Sequence, residues 1–225
     1  MRFWNLGLKA ALFVAILAGR AAPTFATSAP QAPVPAAFRL AQEVVASADH
    51  GGLPFAVVDK KAATLTIFRG NGQLVGTTPV LLGQAAGDQA IPGVGARTQS
   101  GQLRFSDRVT TAGRFGSKPG HNLTGEDVVW IDYDSALAIH RLRPGSSQQD
   151  RALRLASTDP QARRISAGCV VVPVSFYVTV VAPVLGRSRG VIYVMAEDGG
   201  LPPMPQAASA LSAPPASGQP LLSGL

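Results

Sequence analysis

The chain is expected to fold as a mostly β domain, a sandwich or meander with one or two short helices. Three observations carry this expectation. Short runs rich in β-branched residues recur along the chain, as in "TLTIF" and "DVVWIDYD". The pair Asn71-Gly72 between two such runs is a strong hairpin turn, since both residues tolerate positive φ. Charge-free stretches at 21–37 and 201–220 leave about one domain's length between them, with the domain itself placed at residues 54–196.

The elements follow in chain order. Residues 1–26 read as a secretory signal peptide. Arg2 and Lys9 precede the apolar run Ala10–Ala18, and Thr24-Phe25-Ala26 is a suitable cleavage site. The run is far shorter than the ~20 residues of a membrane-spanning helix, so no stable span is expected after cleavage. Residues 27–53 read as a flexible leader, with His50 a solvated linker residue. "FAVVDK", "TLTIF" and "LVGTTPVLLG" then make a two-hairpin meander. Residues 84–120 are Gly-rich and polar, a connection long enough to suggest a functional loop. "DVVWIDYD", "ALAIHRL" and "VIYVMAE" are further strands. In "PVSFYVTVVAPVLG" a short helix is favoured, with Pro173 suited to its first turn and Gly186 to its end. Residues 197–225 are expected to be a disordered tail, because 14 of the 20 residues 201–220 are Pro, Ala or Ser.

Charge and cysteine usage narrow the function. Loss of Arg2, Lys9 and Arg20 with the signal peptide lowers the net charge from +7 to +4. A moderate positive balance suits an anionic envelope polymer. No Lys/Arg cluster interleaves with aromatics, so nucleic acid is not an expected partner. Export to the periplasm or cell envelope places the chain where cysteines pair, yet Cys169 is alone and has no partner within the chain. A solitary thiol there suggests a reactive site, against the simpler reading of a small buried hydrophobe.

A nucleophilic thiol needs a base, exposure and oxyanion donors. Of the three histidines, His121 lies in the loop "SKPGHNLTG", while His140 ends a strand on the same face as Ala138 and Ala136. His140 is either a catalytic base or a sheet-face histidine bonded to backbone. Gly168 lets the backbone turn sharply before Cys169. The amides of Gly168 and Cys169 are candidate oxyanion donors, and Ser166 either shapes the turn or binds substrate. A helix starting near Pro173 would bring its positive end close to the sulfur. The segment between His140 and Cys169 carries Arg151, Arg154, Arg163 and Arg164. These are a solvated face or a clamp for substrate carboxylates. Asp132 and Asp134 share a strand face and could orient an imidazole, although turn roles are commoner. The few His and single Cys show no metal-ligand spacing.

"IH" at a strand end followed by "ISAGCVVVP" resembles the L,D-transpeptidase catalytic domain of the YkuD type. "FAVVDKKAATLTIF", "TTAGRF" and "FYVTVVAPV" are similar to other parts of that domain. The resemblance implies an L,D-transpeptidase-like fold and an exported enzyme acting on peptidoglycan stem peptides through a thioester. Cys169 would be the nucleophile and His140 its activator, with Gly168 and Ser166 in the turn. Arg141, Arg163 and Arg164 are candidates for binding substrate. It implies no cofactor and no metal. The chain departs from the family motif at Ala167, Val171 and Thr111. These bland residues favour the alternative, a catalytically impaired envelope module of the same fold that binds peptidoglycan or a protein partner. A papain-like hydrolase fits less well, since it places cysteine before histidine.

Overall fold

The computed structural model describes residues 34–200 apart from residue 146. The expected signal peptide and most of the expected tail lie outside the described residues. The domain is mostly β. Ten strands are β1 (Phe55–Asp59), β2 (Thr64–Phe68), β3 (Leu74–Pro79), β4 (Leu82–Gly83), β5 (Gly113–His121), β6 (Asp127–Asp132), β7 (Leu137–Arg141), β8 (Arg164–Ser166), β9 (Val170–Val172) and β10 (Gly190–Val194). Eight of them form one mixed sheet in the order β3-β2-β1-β10-β5-β6-β7-β9, and β4 pairs with β8 in parallel. Just after β3, Leu81 exchanges two backbone hydrogen bonds with Val171 of β9, at 2.9 and 3.0 Å. The sheet therefore curls until its first and last strands nearly meet.

The inner face is built by alternation. Ala56 and Val58, Leu65 and Ile67, Val129 and Ile131, Leu137 and Ile139, Val170 and Val172, and Ile192 and Val194 share one core cluster. Burying each Val, Leu or Ile contributes about 1.5–3 kcal/mol. Tyr177, Val181 and Leu185 close this core from a helix, α4, that runs through Val174–Phe176, Tyr177–Val181 and Ala182–Val184. The expected helix after Pro173 is thus present, and its middle turn is π. The wider turn accommodates Pro183, which lacks an N–H and would crowd a regular helix.

The outer face of β2, β1 and β10 is covered by a helix the sequence reading placed in a flexible leader. This helix, α1 (Ala36–Ser47), buries Ala37, Leu40, Ala41 and Val44. Their spacing is that of one helix face, and they pack on Phe55, Val57, Phe68, Val191, Tyr193 and Met195. His50 is buried rather than solvated, with its ring nitrogens 2.7 Å from the Gly70 carbonyl and 3.3 Å from that of Val44. Asp49 accepts hydrogen bonds from Arg114 and Tyr193.

The expected loop over residues 84–120 differs as well. Its second part is β5, the longest strand, inserted between β10 and β6. Its first part contains α2 (Val94–Gln99). The segment between His140 and Cys169 holds α3 (Gln148–Leu155) and strand β8. Glu197, at the start of the expected tail, is bonded to Arg164 and to the Gly87 amide.

Candidate active site

The outer face of β6 and β7, away from α1, floors an open cavity of about 660 Å³. Cys169 and His140 both line it, beside Ala136 and Ala138 and with Trp130 and Tyr133 along one side. Strand register explains why they share a face. Parallel pairing sets Ile139 against Val170 and His140 against Val171, so Cys169 falls beside Ala138. Val170 and Val172 point into the core, and alternation turns Cys169 and Val171 outward with His140. The small Ala136 and Ala138 leave the floor open.

The turn before Cys169 is clamped from two sides. Gly168 has φ +127°, and a Cβ there would sit 2.9 Å from the Val109 carbonyl oxygen. Thr110 Oγ1 donates to the Gly168 carbonyl at 2.7 Å and accepts from the Gly83 amide at 2.9 Å. Ser166 Oγ donates to the Cys169 carbonyl at 2.7 Å and accepts from the Gly168 amide at 3.1 Å. Ser166 is buried and occupied in shaping the turn. Because the Gly168 N–H is engaged by Ser166, only the Cys169 N–H remains a candidate oxyanion donor at this turn. The expected contribution of a helix end also fails. Helix α4 packs on the inner face of the sheet, and the thiol lies on the outer one.

The thiol and imidazole are each tied to backbone. Cys169 Sγ donates to the Ala136 carbonyl at 3.4 Å. Ala136 adopts φ 55° at the turn before β7, a conformation that side chains disfavour. Burial pushes the Cys169 thiol up, opposed by the Ala138 N–H and by the charges of Arg143 and Arg151. His140 Nδ1 lies 2.8 Å from the Arg141 carbonyl oxygen. Donation to that oxygen leaves Nε2 as the nitrogen with a free lone pair. Burial, reinforced by Arg143, lowers the His140 pKa to about 4. Among the described residues no hydrogen bond joins the two side chains. At neutral pH the pair is therefore neutral thiol and neutral imidazole.

The expected substrate arginines are used elsewhere. Arg163 is buried and donates to the Ser157 and Ala62 carbonyls, at 2.7 and 2.6 Å. Arg164 is paired with Glu197 and reaches the Lys60 carbonyl. Arg141 lies over the Tyr177 ring and 3.5 Å from Glu126. None of the three lines the cavity. Arg108, Arg143 and Arg151 do, and among the described residues no Asp or Glu lines it. Arg151 was visible among the arginines of the long segment, whereas Arg143 and Arg108 carry no local signal. His121 ends β5 and also lines the cavity, paired with Asp127 at 3.1 Å. Asp132 accepts from Ser135 and the Asp134 amide, a turn role rather than support for the imidazole. Among the described residues no group of three or more His, Cys, Asp or Glu could hold a metal ion. No described helix is long and apolar enough to cross a membrane.

No family model and no curated protein matches the chain. Among solved structures it is similar to the LD transpeptidase LdtMt1 in complex with imipenem, at 16% identity and TM-score 0.37, covering 63% of this chain and 58% of that one. It is similar to the helical cell shape determining protein Pgp2 from Campylobacter jejuni, at 13% identity and TM-score 0.42, covering 64% and 48%. It is also similar to an L,D-transpeptidase from Mycobacterium smegmatis, at 16% identity and TM-score 0.34, covering 64% and 58%. The chain thus spans about half the length of these proteins. Overlap of this extent carries nothing about activity.

Proposed function

We propose that the chain is an exported, cysteine-dependent L,D-transpeptidase of the cell envelope, acting on peptidoglycan stem peptides. One observation carries the reading: Cys169 and His140 face a single open cavity, with the imidazole held by the Arg141 carbonyl so that Nε2 is free to act as a base. A stem peptide enters with the carbonyl of its L-centre residue near Sγ. His140 Nε2 takes the thiol proton as sulfur attacks, and the Cys169 N–H receives the developing oxyanion. The amide C–N bond breaks, the leaving D-amino acid takes the proton from His140, and a thioester remains. An acceptor amine then attacks the thioester and gives its proton to His140. The new amide forms and the sulfur is released and reprotonated. Water in place of the amine gives carboxypeptidase action. No step calls for a metal or organic cofactor.

The test is incubation with a carbapenem followed by intact-mass measurement. A covalent adduct is expected on the wild-type chain and none on Cys169→Ala. A wild-type chain that stays unmodified overturns the reading. A specific observation favours a second one, a binding module that has lost catalysis: the thiol bonds to Ala136 and not to the imidazole. Under that reading Cys169→Ala binds purified peptidoglycan as well as wild type, and neither form turns over stem peptides.

A further inference from the structure

The charge of the cavity is one-sided. Arg108, Arg143 and Arg151 line it, and among the described residues no carboxylate does. The three cations are not equally free. Arg108 donates to Gln84 Oε1 at 2.9 Å, and Arg143 lies 2.7 Å from Glu126 Oε2. Arg151, on α3, makes no ion pair among the described residues, which sets it apart from Arg143; its Nε, like those of Arg143 and of Arg163 outside the cavity, is buried without a hydrogen-bond partner. A guanidinium with a buried unpaired N–H is costly unless a ligand completes it. Arg151 and Arg143 line the same cavity as Cys169 and His140, so both charges face the space in front of the thiol. The family motif has a polar residue two positions after the cysteine, but here Val171 is buried with Leu81, Leu142 and Leu155. No polar group from that position can meet the substrate.

We propose that Arg151, assisted by Arg143, forms a carboxylate-binding subsite beside the Cys169 sulfur. It selects acyl donors that carry a free carboxylate close to the carbonyl under attack. The proposal deepens the transpeptidase reading and rests on it for the identity of the substrate. Arg151 comes from the long segment between His140 and Cys169, so that segment contributes directly to specificity. A planar guanidinium offers a carboxylate two parallel N–H donors, which fixes orientation as well as position.

The test does not require turnover. Iodoacetate and iodoacetamide both alkylate a thiolate: the S–C bond forms, iodide leaves and the thiol proton passes to solvent. They differ in one carboxylate. The ratio of their second-order rates on the wild-type chain, followed by intact mass, measures anion preference at the sulfur. Arg151→Gln should lower the iodoacetate to iodoacetamide ratio about tenfold or more, the factor expected for one charge-assisted hydrogen bond. Arg143→Gln should lower it less, and Arg151→Lys should restore part of it. Arg154→Gln, an exposed arginine on the same helix, should leave it unchanged. An unchanged ratio in Arg151→Gln overturns the subsite. So does an equal fall in Arg154→Gln, which would mark a general charge effect. A parallel fall of both rates would mean that Arg151 acts on the thiol rather than on the ligand, and also overturns it. If the ratio behaves as expected while stem peptides are not turned over, the subsite stands and the transpeptidase reading falls.

Discussion

Cys169 and His140 are stored uncharged, and this has consequences at the scale of the residue. The Cys169 thiol is bonded to the Ala136 carbonyl, and burial raises its pKa above the ordinary value of 9.0. Alkylation by iodoacetamide should therefore keep rising beyond pH 9, where an ordinary thiol would level off. A plateau near neutral pH would show a preformed thiolate. His140 behaves oppositely, with a folded pKa of about 4 against 6.5 when unfolded. Between those values the unfolded chain binds a proton that the folded chain refuses. Stability is thus fully present above pH 6.5 and is lost as pH falls towards 4. At about 1.4 kcal/mol per pH unit the loss is roughly 3 kcal/mol. Denaturant unfolding at several pH values should show a shallower decline for His140→Gln than for wild type. Equal slopes would place the acid sensitivity elsewhere.

At the scale of the element, helix α1 shows both what the sequence reveals and what it conceals. Leu40 is fully buried against the sheet. Leu40→Ala should cost about 2–5 kcal/mol by chemical denaturation. A cost under 1 kcal/mol would show that the helix is only loosely attached. Its four buried positions repeat at helical spacing, but the Ala- and Pro-rich residues before them make the region resemble a leader. Strands β1, β2, β6, β7 and β10 were legible because their β-branched residues cluster and sit between turn signals. Strand β5 was not. Its sequence "GRFGSKPGH" is poor in strand formers, because its outer face lies open and only Ser117 is buried. Pairing with β10 and β6 holds it in place, and that is tertiary information. The site was legible in the same uneven way. Cys169, His140 and the glycine turn stand out locally, whereas Arg143 and Arg108 reach the cavity only through the path of the chain.

At the scale of the whole domain, a buried lysine ties the parts around the turn together. Lys60 is fully buried after β1, and its Nζ donates to the Gly87 carbonyl at 2.6 Å, Asp88 at 2.6 Å and the Thr110 carbonyl at 3.0 Å. Glu197, 3.3 Å from the same Nζ, also holds Arg164 of β8. Thr110 in turn grips the Gly168 carbonyl. Five stretches far apart in sequence thus meet behind the cysteine. Lys60→Met should cost about 2 kcal/mol, less than the 3–5 kcal/mol of a fully buried pair, because Asp88 and Glu197 stay partly hydrated. It should also slow acylation of Cys169, since Thr110 loses one of its supports. Full stability and full acylation together would show that the lysine is dispensable.

The contact between Leu81 and Val171 has a bearing on how a peptide could approach Cys169. Leu81 takes both the N–H and the carbonyl of Val171, the middle residue of β9, on the flank away from β7. An extended peptide cannot pair with that residue by β-augmentation beside Cys169, as peptide ligands do in many binding domains. Apart from the Cys169 N–H, recognition there must come through side chains above the plane of the sheet, so variants that alter those side chains should change selectivity without rebuilding the backbone.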